Sequence, residues 1–329
     1  MTKLLIALLF SLSAAQAITQ INGAGATFPY PLYSKWFLEY AKLQKEVRFN
    51  YQSIGSGGGV RQLLADTVDF GASDVPMKPE AEKKSKYKVL HIPTALGAVS
   101  VAYNLPGVTG LKLTGEALTK IYLGDIKKWN HPLLKELNPD LNLPKKNILV
   151  AYRSDGSGTT AIFTDYLSSI NLTWKNKVGK GKAVKWPNGI GGKGNEGVTG
   201  VIKQMKGAIG YVELAYAIQN KLEVASLKNK SGQYVRPSLE TITASAESLK
   251  NAQNYKKSIV NSLGENSYPI TAMTFLLIPL KKHEGAKKEG LKSFLNWAMT
   301  KGQDIAPGLH YAPLPQALRK RFIGEIGKL

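Results

Sequence analysis

The sequence of 329 residues contains no cysteine. This absence excludes a disulfide framework, a zinc site with thiolate ligands and a lipid anchor on an N-terminal cysteine. Histidine is also scarce, and the four histidines, His91, His131, His283 and His310, are too scattered for any two to form a metal-binding pair. We therefore expect neither a metal site nor a cofactor.

Acidic residues are few in comparison with basic ones. The chain has 23 Asp and Glu residues against 44 Lys and Arg residues, which gives a net charge of +21. Lysines are grouped within residues 83–88, 175–185 and 281–288. Such groups can attract nucleic acid or an acidic envelope polymer. Because none of them is interleaved with aromatic residues in a stacking pattern, we interpret them as a solvated surface that favours anionic partners, and we expect no specific nucleic acid ligand.

Long apolar runs are absent except at the N-terminus, where residues 4–12 form a run too short to span a bilayer. Lys3 precedes this run, and Ala15-Gln16-Ala17 follows it with the small-x-small pattern of a signal peptidase site. A buried N-terminal helix is the alternative interpretation. The three features together predict a signal peptide over residues 1–17, an exported protein, and Ile18 as its first residue after cleavage.

Motifs of the common nucleotide-dependent and hydrolytic enzymes are missing. Lys180, Lys182 and Lys193 each follow a glycine, but no Ser or Thr comes next, as a Walker A loop requires. No serine lies in a G-x-S-x-G elbow. Residues 189–194, GIGGKG, fit the dinucleotide fingerprint, but Pro187-Asn188 separates them from the preceding apolar residues. The sequence therefore favours binding without a chemical reaction.

The hydrophobic period switches repeatedly between 2 and 3.6, which indicates an α/β protein. The chain is long enough for two domains but shows no linker, so we expect it to cross between them more than once. The predicted helices are residues 30–43, 60–67, 159–167 and 289–302, and the predicted strands are residues 47–53, 68–74, 147–153, 208–213 and 273–278.

Four segments are rich in glycine or hydroxyl residues, lie beside a short strand and open a helix. They are GAGATFP (23–29), GSGGGV (55–60), DGSGTT (155–160) and GIGGKGNEG (189–197). The start of a helix has unpaired N–H groups and a partial positive charge, and glycine lets a ligand approach the backbone. These features suit an oxyanion, although each segment taken alone is also explained as an ordinary helix cap.

Three charged residues refine this hypothesis. Arg153 precedes the third segment, and its guanidinium can hold two oxygen atoms at once. Asp155 either faces Arg153 and orients it or caps the following helix. Asp74 ends a predicted strand among small residues; next to an anion it makes sense only if the anion still carries a proton, because an ionised carboxylate can only accept. The alternative is that Asp74 caps the segment before Pro76.

The motifs GAGATFPYPLYSKW, YQSIGSGGGVRQLLADTVDFGASDVP, RSDGSGTTAIFTDYL, VKWPNGIGGKGNEGV and GAIGYVELAYA occur in that order. From about Asn22 to about Leu314 the chain resembles the periplasmic phosphate-binding proteins of bacterial phosphate ABC transporters. The resemblance implies a two-lobed type II periplasmic-binding-protein fold that closes on one phosphate ion. It also implies a periplasmic monomer that is not an enzyme and that delivers phosphate to the permease and ATPase subunits of an importer.

The resemblance further implies site residues and lobe boundaries. Lobe I would comprise residues 18–95 and 269–329, and lobe II residues 96–268, with GIGGKG a structural part of lobe II. Asp74 would accept a hydrogen bond from protonated phosphate, and Arg153 would donate to phosphate and pair with Asp155. The remaining predicted phosphate-binding residues are donors, namely Ala26, Thr27, Phe28, Ser56, Ser157, Gly158 and Thr159.

The net charge of +21 is higher than the resemblance leads us to expect. Two other functions therefore remain as alternatives. One is a secreted phosphohydrolase, which would turn over a phosphate ester. The other is a polyanion-binding surface protein, whose binding to DNA or heparin would weaken steeply with salt.

Overall fold

A computed structural model describes residues 18–249 and 255–329 of the chain as a mixed α/β protein. The predicted signal peptide, residues 1–17, lies outside the described residues. Among those residues no helix is both long enough and apolar enough to cross a membrane.

The strands are β1 (Thr19–Gly25), β2 (Val47–Ser53), β3 (Phe70–Ser73), β4 (Val89–Tyr103), β5 (Lys112–Leu113), β6 (Leu149–Arg153), β7 (Ile190–Gly192), β8 (Ala208–Glu213), β9 (Glu223–Val224), β10 (Ser226–Lys228), β11 (Tyr234–Val235) and β12 (Thr271–Pro279). The helices are α1 (Tyr30–Leu43), α2 (Gly55–Leu64), α3 (Pro79–Glu82), α4 (Gly115–Leu123), α5 (Pro132–Leu137), α6 (Gly158–Ile170), α7 (Leu172–Lys177), α8 (Gly194–Gln204), α9 (Leu214–Gln219), α10 (Leu239–Ser245), α11 (Gly285–Met299), α12 (Lys301–Ile305) and α13 (Gln316–Gly327).

One continuous sheet has the strand order β2-β1-β3-β12-β4-β8-β6-β7, with β9 paired to β4. Strand β4 joins two halves of it. Residues 89–98 pair with β12 in the first half, which also holds β1, β2 and β3. Residues 99–103 pair with β8 in the second half, which also holds β6 and β7. A separate small sheet has the order β11-β10-β5.

Strand β4 was not among the predicted elements. From His91 to Tyr103 all its residues are buried, so the alternation of apolar and polar residues that marks a half-exposed strand is missing. Pro93 lies inside the strand, where it cannot donate to the ladder. The register with β12 shifts at this point, between Thr274 and Phe275, so the sheet accommodates the proline with a bulge.

The predicted helix over residues 30–43 is confirmed as α1. Its apolar side chains Tyr33, Trp36 and Tyr40 are buried, and the Trp36 and Tyr40 rings pack against Phe294 of α11. Trp36 Nε1 donates to the Gly302 carbonyl oxygen at 2.7 Å. Helix α1 is thereby packed against α11 and α12, which come much later in the chain, within the first half of the sheet.

The prediction for residues 55–67 was partly wrong. It placed a glycine loop before a helix over residues 60–67, whereas α2 begins at Gly55 and ends at Leu64. The reason is a close approach between backbones. A Cβ atom on Gly59 would lie 2.4 Å from Gly25 Cα and 2.9 Å from the Ala72 carbonyl oxygen. The glycines therefore let α2 lie directly on β1 and β3.

This packing yields a stability prediction. We expect Gly59→Ala to lower the free energy of unfolding by about 2 kcal/mol or more, because the added methyl group meets rigid backbone. Gly200 is a matched control, since it lies inside α8 and a Cβ atom there would meet no atom of a neighbouring segment within 4 Å. Gly200→Ala should be neutral or stabilising by up to about 1 kcal/mol. Urea unfolding measures both; equal effects would contradict the close packing of α2.

Candidate functional site

The four segments singled out in the sequence converge in the structure. Each follows the carboxyl end of a parallel strand, β1, β2, β6 or β7, and leads into helix α1, α2, α6 or α8. Gly57 N of the first half donates to the Gly156 oxygen of the second at 2.7 Å. Asn195 at the start of α8 bonds both Thr27 and Thr159. The edge at which such strands end is where open α/β sheets bind ligands.

Arg153, at the end of β6, is almost fully buried and is held by Asp155. Arg153 Nε donates to Asp155 Oδ1 at 2.7 Å, and the terminal nitrogen Nη2 donates to Oδ2 at 2.6 Å. Burial acts to raise the pKa of Asp155, but the hydrogen bonds and charge of Arg153 outweigh it and hold that pKa below its ordinary value. The predicted pair is confirmed, and Asp155 is therefore an ionised orienting partner.

Asp74 lies at the end of β3 and is also buried. Its carboxylate accepts from Thr274 Oγ1 at 2.9 Å and from Ser56 Oγ at 3.2 Å. The next helix, α3, has Lys78 as its N-cap, so Asp74 does not cap it. Burial raises the pKa of Asp74 to about 6, although hydrogen bonds from Thr274 and the charge of Arg153 act in the opposite direction. Asp74 is thus mostly ionised at neutral pH.

The third segment brings α6 against Asp74. Ser157 is the N-cap of α6, and its Oγ accepts from Thr160 N at 3.0 Å. A Cβ atom on Gly158 would lie 2.3 Å from both Asp74 Oδ2 and Ser56 Oγ, so only glycine fits there. The Thr159 hydroxyl accepts from Arg153 Nη1 at 3.2 Å. Gly158 therefore lets the start of α6 lie directly against the Asp74 carboxylate.

The first segment departs from expectation at Ala26. Its N–H donates to the Ala72 carbonyl oxygen at 3.1 Å, so it is not available as a ligand donor in this structure. By contrast, the N–H groups of Thr27 and Phe28 donate to no acceptor within residues 18–249 and 255–329. The Tyr216 hydroxyl donates to the Thr27 carbonyl oxygen at 2.7 Å. Together with the bond from Ala26 N, this contact fixes the direction in which the loop presents its free N–H groups.

Asn195 is a functional residue that the sequence reasoning missed. It is fully buried, and its Nδ2 donates to Thr27 Oγ1 at 2.7 Å and to Thr159 Oγ1 at 3.2 Å, which joins the two halves of the sheet. Its Oδ1 accepts from Glu213 N at 2.9 Å. The motif GIGGKG was expected to be a structural part of the second lobe, and Gly194 N donates to Asp155 at 3.0 Å. Asn195 directly follows the GIGGKG motif, which was the available signal.

Glu213 is a buried carboxyl group at the end of β8. Its Oε2 accepts from Ala215 N at 2.8 Å and lies 3.0 Å from the Tyr311 hydroxyl. Among the described residues Oε1 has no hydrogen-bond partner. Burial raises the pKa of Glu213 well above its ordinary value. Burial therefore opposes a negative charge at this position.

The chemistry of this cluster is that of recognition. Hydrogen bonds link the segments at the starts of α1, α2, α6 and α8 to one another and to Arg153 and Asp74. In the part of the chain that the structure describes, no three His, Asp or Glu side chains are grouped so as to hold a metal ion. The arrangement suits a compact oxyanion that presents several acceptors and at least one proton.

Comparison with known proteins is consistent with this chemistry. Residues 12–301 match the family model of the PBP superfamily domain. The phosphate-binding protein PstS of Haemophilus influenzae is 49% identical over 309 residues, which cover 93% of this chain and 91% of that protein. PstS of Pasteurella multocida is 48% identical over 98% of this chain and 95% of its own length.

Similar solved structures show the same fold at much lower identity. PfluDING, a high affinity periplasmic phosphate-binding protein solved with phosphate, has a TM-score of 0.73 and 20% identity, covering 93% of both chains. A substrate-binding protein of a phosphate ABC transporter from Clostridium perfringens, described as putative in its own structure report and solved with phosphate, has a TM-score of 0.67 and 16% identity, covering 90% of this chain and 100% of that one. The predicted type II periplasmic-binding-protein fold is confirmed.

The buried amide of Asn195 gives a second prediction. Asn195→Ala should lower the free energy of unfolding by about 2–4 kcal/mol, because it leaves buried hydroxyl and N–H groups without their partner. Asn220→Ala is the matched control, since this partly buried amide makes one bond, to the Tyr216 oxygen at 3.0 Å. Its loss should cost about 1 kcal/mol or less. If chemical denaturation finds the two variants equally stable, Asn195 does not join the halves as described.

Proposed function

Because the chain belongs to the PBP superfamily and, within it, to the PstS phosphate-binding proteins, we propose that it captures inorganic phosphate for an ABC-type importer. The observation that carries the proposal is the meeting of four helix starts around Arg153 and Asp74. A phosphate ion bound there has donors for its anionic oxygens and an acceptor for its proton.

The roles of the residues follow from what each can donate or accept. Arg153, already oriented by Asp155, supplies charge-assisted donors to phosphate oxygens. Thr27, Phe28, Ser56, Ser157, Gly158 and Thr159 supply hydroxyl and N–H donors. Ala26 serves only through the backbone bond that holds the first loop. Nothing in this set activates a nucleophile, so phosphate leaves unchanged.

Asp74 explains how phosphate is distinguished from sulfate. The two ions have the same shape, and near neutral pH each can carry two negative charges, but only phosphate retains a proton. Phosphate therefore donates an O–H hydrogen bond to ionised Asp74. Sulfate places a bare oxygen against the carboxylate, and in a buried site two unpaired acceptors are costly.

We further propose that the two halves of the sheet move as lobes, with lobe I formed by residues 18–95 and 269–329 and lobe II by residues 96–268. In support, β4 changes its pairing partner between Ala98 and Val99. Donors on both lobes would then bind one ion, which stabilises the closed state by contacts that the open state lacks. A smaller radius of gyration with phosphate than without it is the expected result in solution scattering.

The location and partners follow from the family and the N-terminus. We propose that residues 1–17 are a cleaved signal peptide, as their charge, apolar run and small-x-small pattern indicate. The exported protein would work in the periplasm as a monomer. There it would deliver phosphate to the permease and ATPase subunits of the importer.

A calorimetric titration of the purified protein with phosphate tests the function. We expect one bound ion per chain, and Arg153→Ala should weaken binding at least about tenfold, since a charge-assisted bond contributes about 1.5–3 kcal/mol. Arg48→Ala is the control, because among the described residues the Arg48 side chain donates only to the backbone oxygens of Ala41 and Val47. An unchanged affinity in Arg153→Ala would remove that residue from the site. Turnover of a phosphate ester would instead favour the hydrolase alternative.

A competition experiment tests Asp74. The wild type should prefer phosphate over sulfate by at least about a thousandfold, or about 4 kcal/mol. In Asp74→Asn the ratio should shrink, mainly through tighter sulfate binding, because the amide can donate to a bare oxygen. If Asp74→Asn keeps the full preference for phosphate over sulfate, other residues determine the selectivity.

The pH dependence of sulfate binding is an independent control for the same prediction. The pKa of Asp74 is raised to about 6, so the carboxyl gains a proton as pH falls through that value. The protonated group can donate to sulfate. Sulfate affinity of the wild type should therefore rise below about pH 6, whereas Asp74→Asn should lack this rise.

A further inference from the structure

Lys182 is a charged residue beside the start of the third segment. It belongs to a loop fixed against the start of α6. The Lys182 carbonyl oxygen accepts from Ser157 N at 2.8 Å, and Gly181 N donates to Thr164 Oγ1 at 3.1 Å. The backbone of Lys182 therefore lies directly beside the donors of the third segment.

The charge of Lys182 acts on groups of the opposite lobe. Its charge interacts with Asp74, Lys78 and His91, all of which lie in the first half of the sheet or directly after it. The residue is partly buried, and its ammonium group donates to no acceptor among residues 18–249 and 255–329. A partly buried ammonium group without a hydrogen-bond partner is stabilised when an anion approaches it.

Two cations close to Lys182 in the chain or at the site are already paired with carboxylates, whereas the Lys182 ammonium group has no such partner among the described residues. Arg153 is neutralised by Asp155 through two hydrogen bonds, and Lys180 is bonded to Asp165 at 2.5 Å. Burial lowers the pKa of Lys182 to about 8; Asp74 acts to raise this pKa and Lys78 to lower it. His91 carries no charge near neutral pH, because burial lowers its pKa to about 4.

We propose that Lys182 is a further phosphate-binding residue, whose ammonium group attracts the dibasic ion from the rim of the cleft. This inference rests on the proposed function. Lys182 in lobe II and Lys78 in lobe I carry like charges and repel each other. A phosphate ion between the two ammonium groups offsets this repulsion. Closure of the two lobes is therefore favoured when an anion is bound beside Lys182. The affinity for phosphate falls at alkaline pH, where Lys182 loses its charge.

The pH dependence has a definite sign. Lys182 is charged below its pKa and loses its attraction for phosphate as pH rises through about 8. Phosphate stays dibasic from about pH 8 to about pH 10, and exposed tyrosines titrate near pH 10. A decline of affinity between about pH 7.5 and about pH 9.5 therefore reports the ammonium group.

The experiment is calorimetric titration with inorganic phosphate at several pH values. At about pH 7.5 we expect Lys182→Met to weaken binding about threefold to tenfold, with little further change up to about pH 9.5. Lys182→Arg should keep the affinity of the wild type and hold it through the alkaline range, because a guanidinium group stays charged. Lys185→Met is the matched control, since Lys185 is exposed three residues further along and should bind phosphate as the wild type does.

The outcomes separate the two proposals. A wild type that binds no phosphate overturns the proposed function, and this inference with it. A wild type that binds phosphate while Lys182→Met binds equally well overturns only the role of Lys182. If Lys182→Met and Lys185→Met lose phosphate affinity equally, the specific role of Lys182 is overturned too, and the loss is a general effect of surface charge. If Lys182→Met fails to fold, a Lys182→Arg variant that still loses affinity at alkaline pH overturns it.

Discussion

The ion pair between Arg153 and Asp155 holds the site together. Asp155 Oδ1 accepts from Arg153 Nε at 2.7 Å and from Gly194 N at 3.0 Å, so one carboxylate fixes the end of β6 and the start of α8. Arg153 in turn donates to Thr159 at 3.2 Å in α6. A buried pair of this kind is favourable only when nearly all of its donors and acceptors are satisfied. That requirement explains why the surrounding loops are so closely specified.

The charges of the site are balanced in a way that leaves room for an anion. Asp155 neutralises Arg153, and burial opposes a negative charge on Glu213. Asp74 contributes a negative charge but accepts from Ser56 and Thr274. An anion with a proton therefore meets donors on most sides and one acceptor. The high net charge of +21 adds a long-range attraction that depends on ionic strength.

Local sequence predicted those parts of the molecule whose partners are close in the chain. The helical face of α1 follows from short spacings, and the short spacing of Arg153 and Asp155 made their pairing one of two interpretations, which the structure decides. Contacts between distant segments could not be predicted in this way. Asn195 reaches Thr27 across 168 positions, and nothing in a segment of glycines indicates that distance. Strand β4 was missed because burial on both faces removes its period, and α2 because its glycines serve packing and not a loop.

The order of the strands has a consequence for how the chain acquires its fold. Strand β12 lies between β3 and β4, yet it comes from residues 271–279, near the end of the chain. Until that segment emerges, β1, β2 and β3 have no connection to β4 through the sheet. The second half, by contrast, has β6, β7 and β8 before residue 214. During vectorial synthesis or translocation, the second half can therefore assemble first, while the earliest strands remain exposed and in need of protection from aggregation.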